Sequence, residues 1–158
     1  MARVIAVTSG KGGIGKSSFV LNVGICLAKM DQRVLLLDGD LGLSNLDILM
    51  GLMPQKSLDD VFRGKVPVDH IIVETDYKVR LLPASSGLVD WADLPEEKEL
   101  DLVHRLMKVS GDADIILVDT SSGTSTHQIA FLSCLSEIIL GSNDEPTSVT
   151  ENYSLIKA

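Results

Sequence analysis

An α/β fold built on a mostly parallel, twisted sheet with helices on both faces is what this sequence predicts, and three observations carry the prediction. Short, continuously apolar runs alternate along the chain with segments of helical periodicity. A glycine-rich stretch, SGKGGIGKSS at residues 9–18, stands between the first apolar run and the first helical pattern. Aspartates close two further runs, LLLD at 35–38 and ILVD at 116–119. Strands that are apolar on both faces belong in parallel sheets covered above and below by helices, which gives three α/β/α layers.

The elements follow in order. Residues 3–9 (RVIAVTS) read as a buried strand. Residues 16–30 carry apolar side chains at helical spacing, at Phe19, Val20, Val23, Leu27 and Met30. Residues 33–38 (RVLLLD) form a second strand, and 51–67 is the most loop-like part of the chain. Residues 71–84 hold one or two strands with a polar centre. Residues 96–109 make an amphipathic helix, with Leu100, Val103, Leu106 and Met107 on one face. A strand over 113–119, a helix over 125–135 and a strand over 137–141 follow. The last helix starts at Pro146, a residue suited to a first helical turn.

A length of 158 residues fits a single domain spanning 1–158 with a real core. The composition, 45% hydrophobic and 23% charged, is that of a soluble globular protein. A net charge of −8 argues against broad nucleic-acid binding, which needs a basic face. The two cysteines, Cys26 and Cys134, sit inside apolar segments and read as buried, reduced thiols of a reducing compartment. The N-terminal apolar run of four residues is too short for a signal peptide, and no stretch reaches the roughly 20 apolar residues of a membrane span.

Gly10, Gly15, Lys16 and Ser17 satisfy G-x-x-x-x-G-K-[ST], the P-loop pattern, and the flanking strand and helix are the setting that pattern needs. Backbone N–H groups of a glycine-rich turn and a helix N-terminus together form a phosphate site. The candidate nucleotide-binding set is therefore Gly10, Lys11, Gly12, Gly13, Ile14, Gly15, Lys16, Ser17 and Ser18, for ATP or ADP with Mg²⁺. Lys16 is placed to reach the β- and γ-phosphates, and the Ser17 hydroxyl to bind Mg²⁺. Lys11 is a second lysine in the same loop. A loop wrapped around phosphates has little inner room, so Lys11 is expected to point away from its own pocket, and a solvated lysine is as good a reading of the spacing.

Ligands of open parallel sheets bind beyond the carboxyl ends of the strands, where Asp38, Asp40 and Asp119 fall. Asp119 suits a Mg²⁺-holding acid, Asp38 a share of the same shell, and Asp40 the orientation of an attacking water. Asp47 reads as a helix-surface acid. His70, His104 and His127 have no ligand-like spacing, which argues against zinc. Ser121, Ser122, Thr124, Ser125 and Thr126 surround Gly123 and suit a helix N-cap or a phosphate-sensing loop, with no local base to make a nucleophile. Trp91 marks a turn before a helix.

KGGIGKS, with its early Lys11, resembles the deviant Walker A loop of the MinD/ParA ATPases. LLLDGDLGLSNLDILMG and ILVDTSSGTS resemble that family's two switch regions, and EPTSVTENYSLIKA is similar to its FlhG (FleN) branch. The resemblance covers essentially the whole chain. It implies a P-loop NTPase fold and a slowly hydrolysing, Mg²⁺-dependent ATP switch that regulates flagellar number and placement or division-site position. It also implies an ATP-dependent homodimer in which each Lys11 crosses to the partner's phosphates, in the manner of an arginine finger supplied in trans. Lys11, Lys16 and Asp40 are then the catalytic set, and Ser17, Asp38 and Asp119 the metal set. Further implied partners are a flagellar SRP-type GTPase or a division regulator, with membrane contact only through a C-terminal amphipathic helix that this chain lacks. The implied location is the cytoplasm, peripheral at the inner face of the cell membrane in a full-length form. Two alternatives stand beside this reading: a nucleotide-sensing module without turnover, and a ParA-like DNA-segregation ATPase.

Three features depart from the family pattern. Ser121-Ser122-Gly123 stands where the family usually has Pro-Ala-Gly or Gly-Ala-Gly. The chain begins at its first strand, without the N-terminal extension common in FlhG proteins. It stops at YSLIKA, mid-helix, so an N-terminal portion of a longer ATPase domain, or a shortened homologue, is expected.

Overall fold

The computed structural model describes residues 2–40, 45–83 and 112–158. The expected helix at 96–109, with Trp91 and His104, lies outside the described residues. In chain order the described elements are β1 (Arg3–Ser9), α1 (Lys16–Lys29), β2 (Val34–Gly39), α2 (Leu46–Leu49), α3 (Leu58–Phe62), a 3₁₀ turn (Val68–Ile71), β3 (Val73–Glu74), β4 (Arg80–Leu82), β5 (Ile115–Ser122), α4 (Thr126–Ser133), β6 (Glu137–Leu140) and α5 (Pro146–Lys157).

Six strands form one sheet in the order β3-β4-β2-β5-β1-β6. Every pairing is parallel except β3 with β4 at one edge, where Val73 and Glu74 run antiparallel to Leu81 and Arg80. The mostly parallel sheet is thus as expected, and the polar centre of 71–84 is the turn between its two short strands. Period-2 alternation sorts the strand side chains into two cores. Leu35, Leu37, Ile116 and Val118 face α3, the 3₁₀ turn and Leu132 of α4. Leu36, Ile115, Leu117 and Val7 face α1 and α2 through Val20, Ala28 and Leu46.

Three expectations change. The buried stripe of α1 is Val20, Gly24 and Ala28, while Phe19 is 44% and Met30 69% exposed. The helix lies so close to the sheet that a Cβ on Gly24 would fall 2.6 Å from Leu36 Cδ2. Small residues therefore centre the contact, and Val23 and Leu27 only flank it. Cys26 and Cys134 are exposed rather than buried. Cys26 lies two residues from Gly24, on the opposite side of α1, and Cys134 caps the end of α4. Finally, the loop-like stretch at 51–67 contains α3, whose start is fixed by the Asp60 carboxylate accepting the Ser57 N–H at 3.3 Å.

Candidate functional site

β5 lies between β1 and β2, so the chain leaves β1 towards one side of the sheet and returns after β5 to the other. The carboxyl ends at this reversal form the crevice where ligands of such sheets bind. Strand register places Asp119 beside Asp38 on one side and Val7 on the other.

The loop from Gly10 to Gly15 joins β1 to α1. Gly13 and Gly15 have φ of 76° and 91°, the left-handed region in which a side chain strains the backbone. Gly10 is fixed by space instead: a Cβ there would sit 2.5 Å from the backbone carbon of Glu151 in α5. Ile14 packs on Gly141 at the end of β6. The cap of α1 is Gly15, without a side-chain acceptor, and no acid stands in the first turn. The first N–H groups of this helix of 14 residues therefore face outward with a positive dipole and no internal anion.

Lys16 is half-buried at this helix start, and burial lowers its pKa while Asp119 and Asp40 favour its charge. Asp119 is 1% exposed, and neither carboxylate oxygen has a hydrogen-bond donor among the described residues. Burial pushes its carboxyl up to about 6. The Ser17 hydroxyl stands close enough to favour the charged form, without completing a hydrogen bond, and Lys16 acts in the same direction. Asp38 and Asp40 oppose them. Asp38 is fully buried, and its carboxylate accepts the N–H groups of Asp40 (3.2 Å), Asn45 (2.9 Å) and Leu46 (3.0 Å). It thereby holds the chain after β2 against the site. Asp40 is half-buried, and Asp47 lies in the first turn of α2 with its carboxylate accepting the Ile48 N–H at 2.7 Å.

Lys11 leaves this cluster: its ammonium pairs with Glu145 and lies 3.3 Å from the Thr147 hydroxyl at the start of α5. Ser18 is exposed, and its C=O accepts from Asn22. Ser125 is the N-cap of α4, accepting the Gln128 N–H at 3.2 Å. The structure therefore brings Lys16, Ser17, Asp38, Asp40 and Asp119 together and takes the head of Lys11 elsewhere.

Three participants escape the sequence reading. Asn152 of α5 accepts the Gly10 N–H at 2.7 Å and donates to the Gly141 C=O at 2.8 Å. Glu145 holds Lys11, and Gln128 ties the end of β5 to Thr8. Only Pro146, which announces a helix start beside Glu145, marks any of them in the sequence.

The AAA_31 family, an AAA domain, matches residues 2–157. The chain is 39% identical over 155 residues to the antiactivator FleN of Pseudomonas aeruginosa, covering 98% of this chain and 55% of that protein. It is 32% identical to the flagellum site-determining protein YlxH of Helicobacter pylori, covering 98% of this chain and 53% of the relative. It thus spans about half the length of the curated relatives it matches. Among solved structures it is similar to the septum site-determining protein MinD of Pyrococcus horikoshii complexed with Mg-ADP, at a TM-score of 0.83 and 29% identity, over 99% of this chain and 64% of that one. It is also similar to MinD in the MinC:MinD complex of Aquifex aeolicus, at a TM-score of 0.82 and 34% identity, over 99% of this chain and 62% of the other.

Proposed function

The chain belongs to the AAA_31 family, among its MinD/ParA ATPases and on the FlhG (FleN) side of them, and from that premise we propose that it is the N-terminal portion of a Mg²⁺-dependent ATP switch. The observation that carries the proposal is one juxtaposition. An uncapped helix start with Lys16 stands against a buried Asp119 whose two oxygens have no donor among the described residues.

The residues fit a nucleotide and its cation. The loop N–H groups and Lys16 hold phosphate oxygens, the former as fixed dipoles and the latter as a charge that partial burial strengthens. Ser17 and Asp119 offer hard oxygens of the kind Mg²⁺ takes, and a donor-free carboxylate is one that loses no hydrogen bond by binding a cation. When bound, that cation neutralises charge on the β- and γ-phosphates. Asp38 acts through the backbone that it holds. Asp40 orients the attacking water. Lys11 serves a second copy of the chain, reaching the partner's phosphates once it leaves Glu145, so that hydrolysis depends on assembly.

We place the biological role with FleN and YlxH, in the number and position of flagella, ahead of a role in division-site placement. A homodimer formed on ATP and a flagellar GTPase or division regulator are the partners of this reading, and the cytoplasm its location. Among the described residues no helix is long and apolar enough to cross a membrane.

Calorimetry with ATP and ADP, with and without Mg²⁺, tests the site, and turnover of the full-length protein tests the activity. Nucleotide binding that ignores Mg²⁺ and the Asp119→Asn change would overturn it. Tight binding without turnover at any protein concentration would favour the nucleotide-sensing alternative.

A further inference from the structure

The end of β5 is irregular in a way that concerns the loop following Asp119. Register runs from Val7↔Asp119 to Ser9↔Ser122, so a single residue of β1, Thr8, faces both Thr120 and Ser121. Such a bulge leaves backbone groups without ladder partners and re-aims the residues after it. Here a side chain fills the gap. Gln128, 6% exposed, donates from Nε2 to the Thr8 hydroxyl and to the Ser121 C=O, each at 2.9 Å. Its own N–H is capped by Ser125, so backbone and side chain are both fixed. The Thr120 hydroxyl donates to the Val7 C=O at 3.1 Å beside it.

Residues 122 and 123, just past the bulge, lie against the phosphate loop. The Gly123 N–H donates to the Ser9 C=O at 3.0 Å. Ser122 Oγ sits so close that a Cβ on Gly12 would fall 3.1 Å from it. Asp119, Ser122 and the start of the phosphate loop are thus held in one arrangement, and the only side-chain amide bonded to both strand ends among the described residues is Gln128.

We propose that Gln128 is a positioning residue, which sets the loop 121–123 against the phosphate loop through the Thr8 hydroxyl and the Ser121 carbonyl. This rests on the reading of the site as an ATPase. Gln128 is no part of the phosphate or cation shell, so it acts on the chemical step through the loop rather than on nucleotide affinity. Removing a positioning contact misplaces reacting groups while leaving ground-state binding in place.

The test compares wild type with Gln128→Met, which keeps the length and removes both donors, in the full-length protein. Expected are a fall in kcat of tenfold or more, a KM for ATP within about twofold of wild type, and ADP affinity unchanged. In the nucleotide-free protein, amide hydrogen exchange should quicken over residues 119–126 and stay unchanged in α1 and β2, a readout that does not depend on turnover. A Thr8→Val protein, which loses one of the two acceptors, should show a smaller fall in kcat and guards against misfolding of the first variant. Wild-type kcat and exchange in both variants would overturn the assignment, as would equal losses of stability, nucleotide affinity and kcat, which mark a merely structural residue. A wild type without turnover would count against the ATPase reading, and the exchange pattern would still decide the role of Gln128.

Discussion

Replacing Asp119 by asparagine keeps the shape of the side chain and removes its ability to ionise. In the metal-free protein that change should stabilise the fold at neutral pH. Burial raises the Asp119 carboxyl from its ordinary 3.8 to about 6. The unfolded chain therefore releases this proton at lower pH than the folded one, and stability falls as pH rises between the two values. The gap corresponds to an upper figure of ~3 kcal/mol at about 1.4 kcal/mol per pH unit, of which ~2 kcal/mol accrues between pH 4.5 and 7.5. Urea denaturation with a chelator present, at those two pH values, measures it. Asp119→Asn should gain ~2 kcal/mol on wild type between the lower and the higher pH. Adding Mg²⁺-ATP should reverse the order, because wild type keeps the carboxylate proposed to hold the cation and so binds the complex more tightly, and ligand binding to the folded state adds stability. If the two proteins show parallel curves across that window, the carboxylate is not held at a cost and the cation argument fails with it.

The other predictions concern the loop and the outer ion pairs. Lys16→Ala should weaken ATP binding by ~1.5–3 kcal/mol, the usual value of a charge-assisted hydrogen bond, and calorimetry giving equal affinities would remove Lys16 from the site. Lys11→Ala should bind ATP normally yet neither dimerise on it nor hydrolyse it; sedimentation in ATP that still shows wild-type dimers would leave Lys11 a surface charge. Gly10→Ala sets a Cβ 2.5 Å from the Glu151 backbone carbon, so α5 must move. A loss of ~1–3 kcal/mol is expected, and an unchanged thermal midpoint would show the contact to be loose. Hydrogen bonds from the Arg33 side chain and backbone hold the Asp114 carboxyl down at about 2. That pair therefore adds stability above the ordinary 3.8 and loses it as pH falls through about 2; an NMR titration midpoint near the ordinary value would refute the pairing.

The phosphate loop was legible because its chemistry is local. Seven or eight consecutive residues must supply backbone donors, left-handed turns and a lysine, so their types are constrained together. The strands were legible because burial on both faces leaves no polar position, as in Val34 to Leu37. α3 was missed because five residues carry no period, and only the Ser57–Asp60 pair announces it. The stripe of α1 was misplaced for a related reason. Hydrophobicity marks large side chains, but the closest approach to the sheet is made by Gly24 and Ala28, which such a count passes over.

Around the site, the line between legible and hidden follows sequence separation. Gly10 and Lys16 belong to one motif, yet the residue that fixes Gly10 is Asn152, 142 positions later. Nothing local distinguishes Asn152 from any polar residue of a surface helix. It is identifiable only because it is 4% exposed and both ends of its amide are engaged, with Gly10 and with Gly141. Glu145 is hidden in the same way, since its role depends on Lys11 arriving from 134 positions earlier. These distant contacts also have a mechanical consequence. α5 is bonded to the start of the phosphate loop at Gly10 and Lys11, so a displacement of α5 must either carry the loop with it or break the Asn152 bond. Releasing Lys11 from Glu145 costs little, because both groups are solvent-accessible. Breaking the buried Asn152 bond costs more, because it strands the Gly10 N–H. The lysine can therefore leave Glu145 while the loop that carries it stays seated, which the proposed crossing to a second copy's phosphates requires.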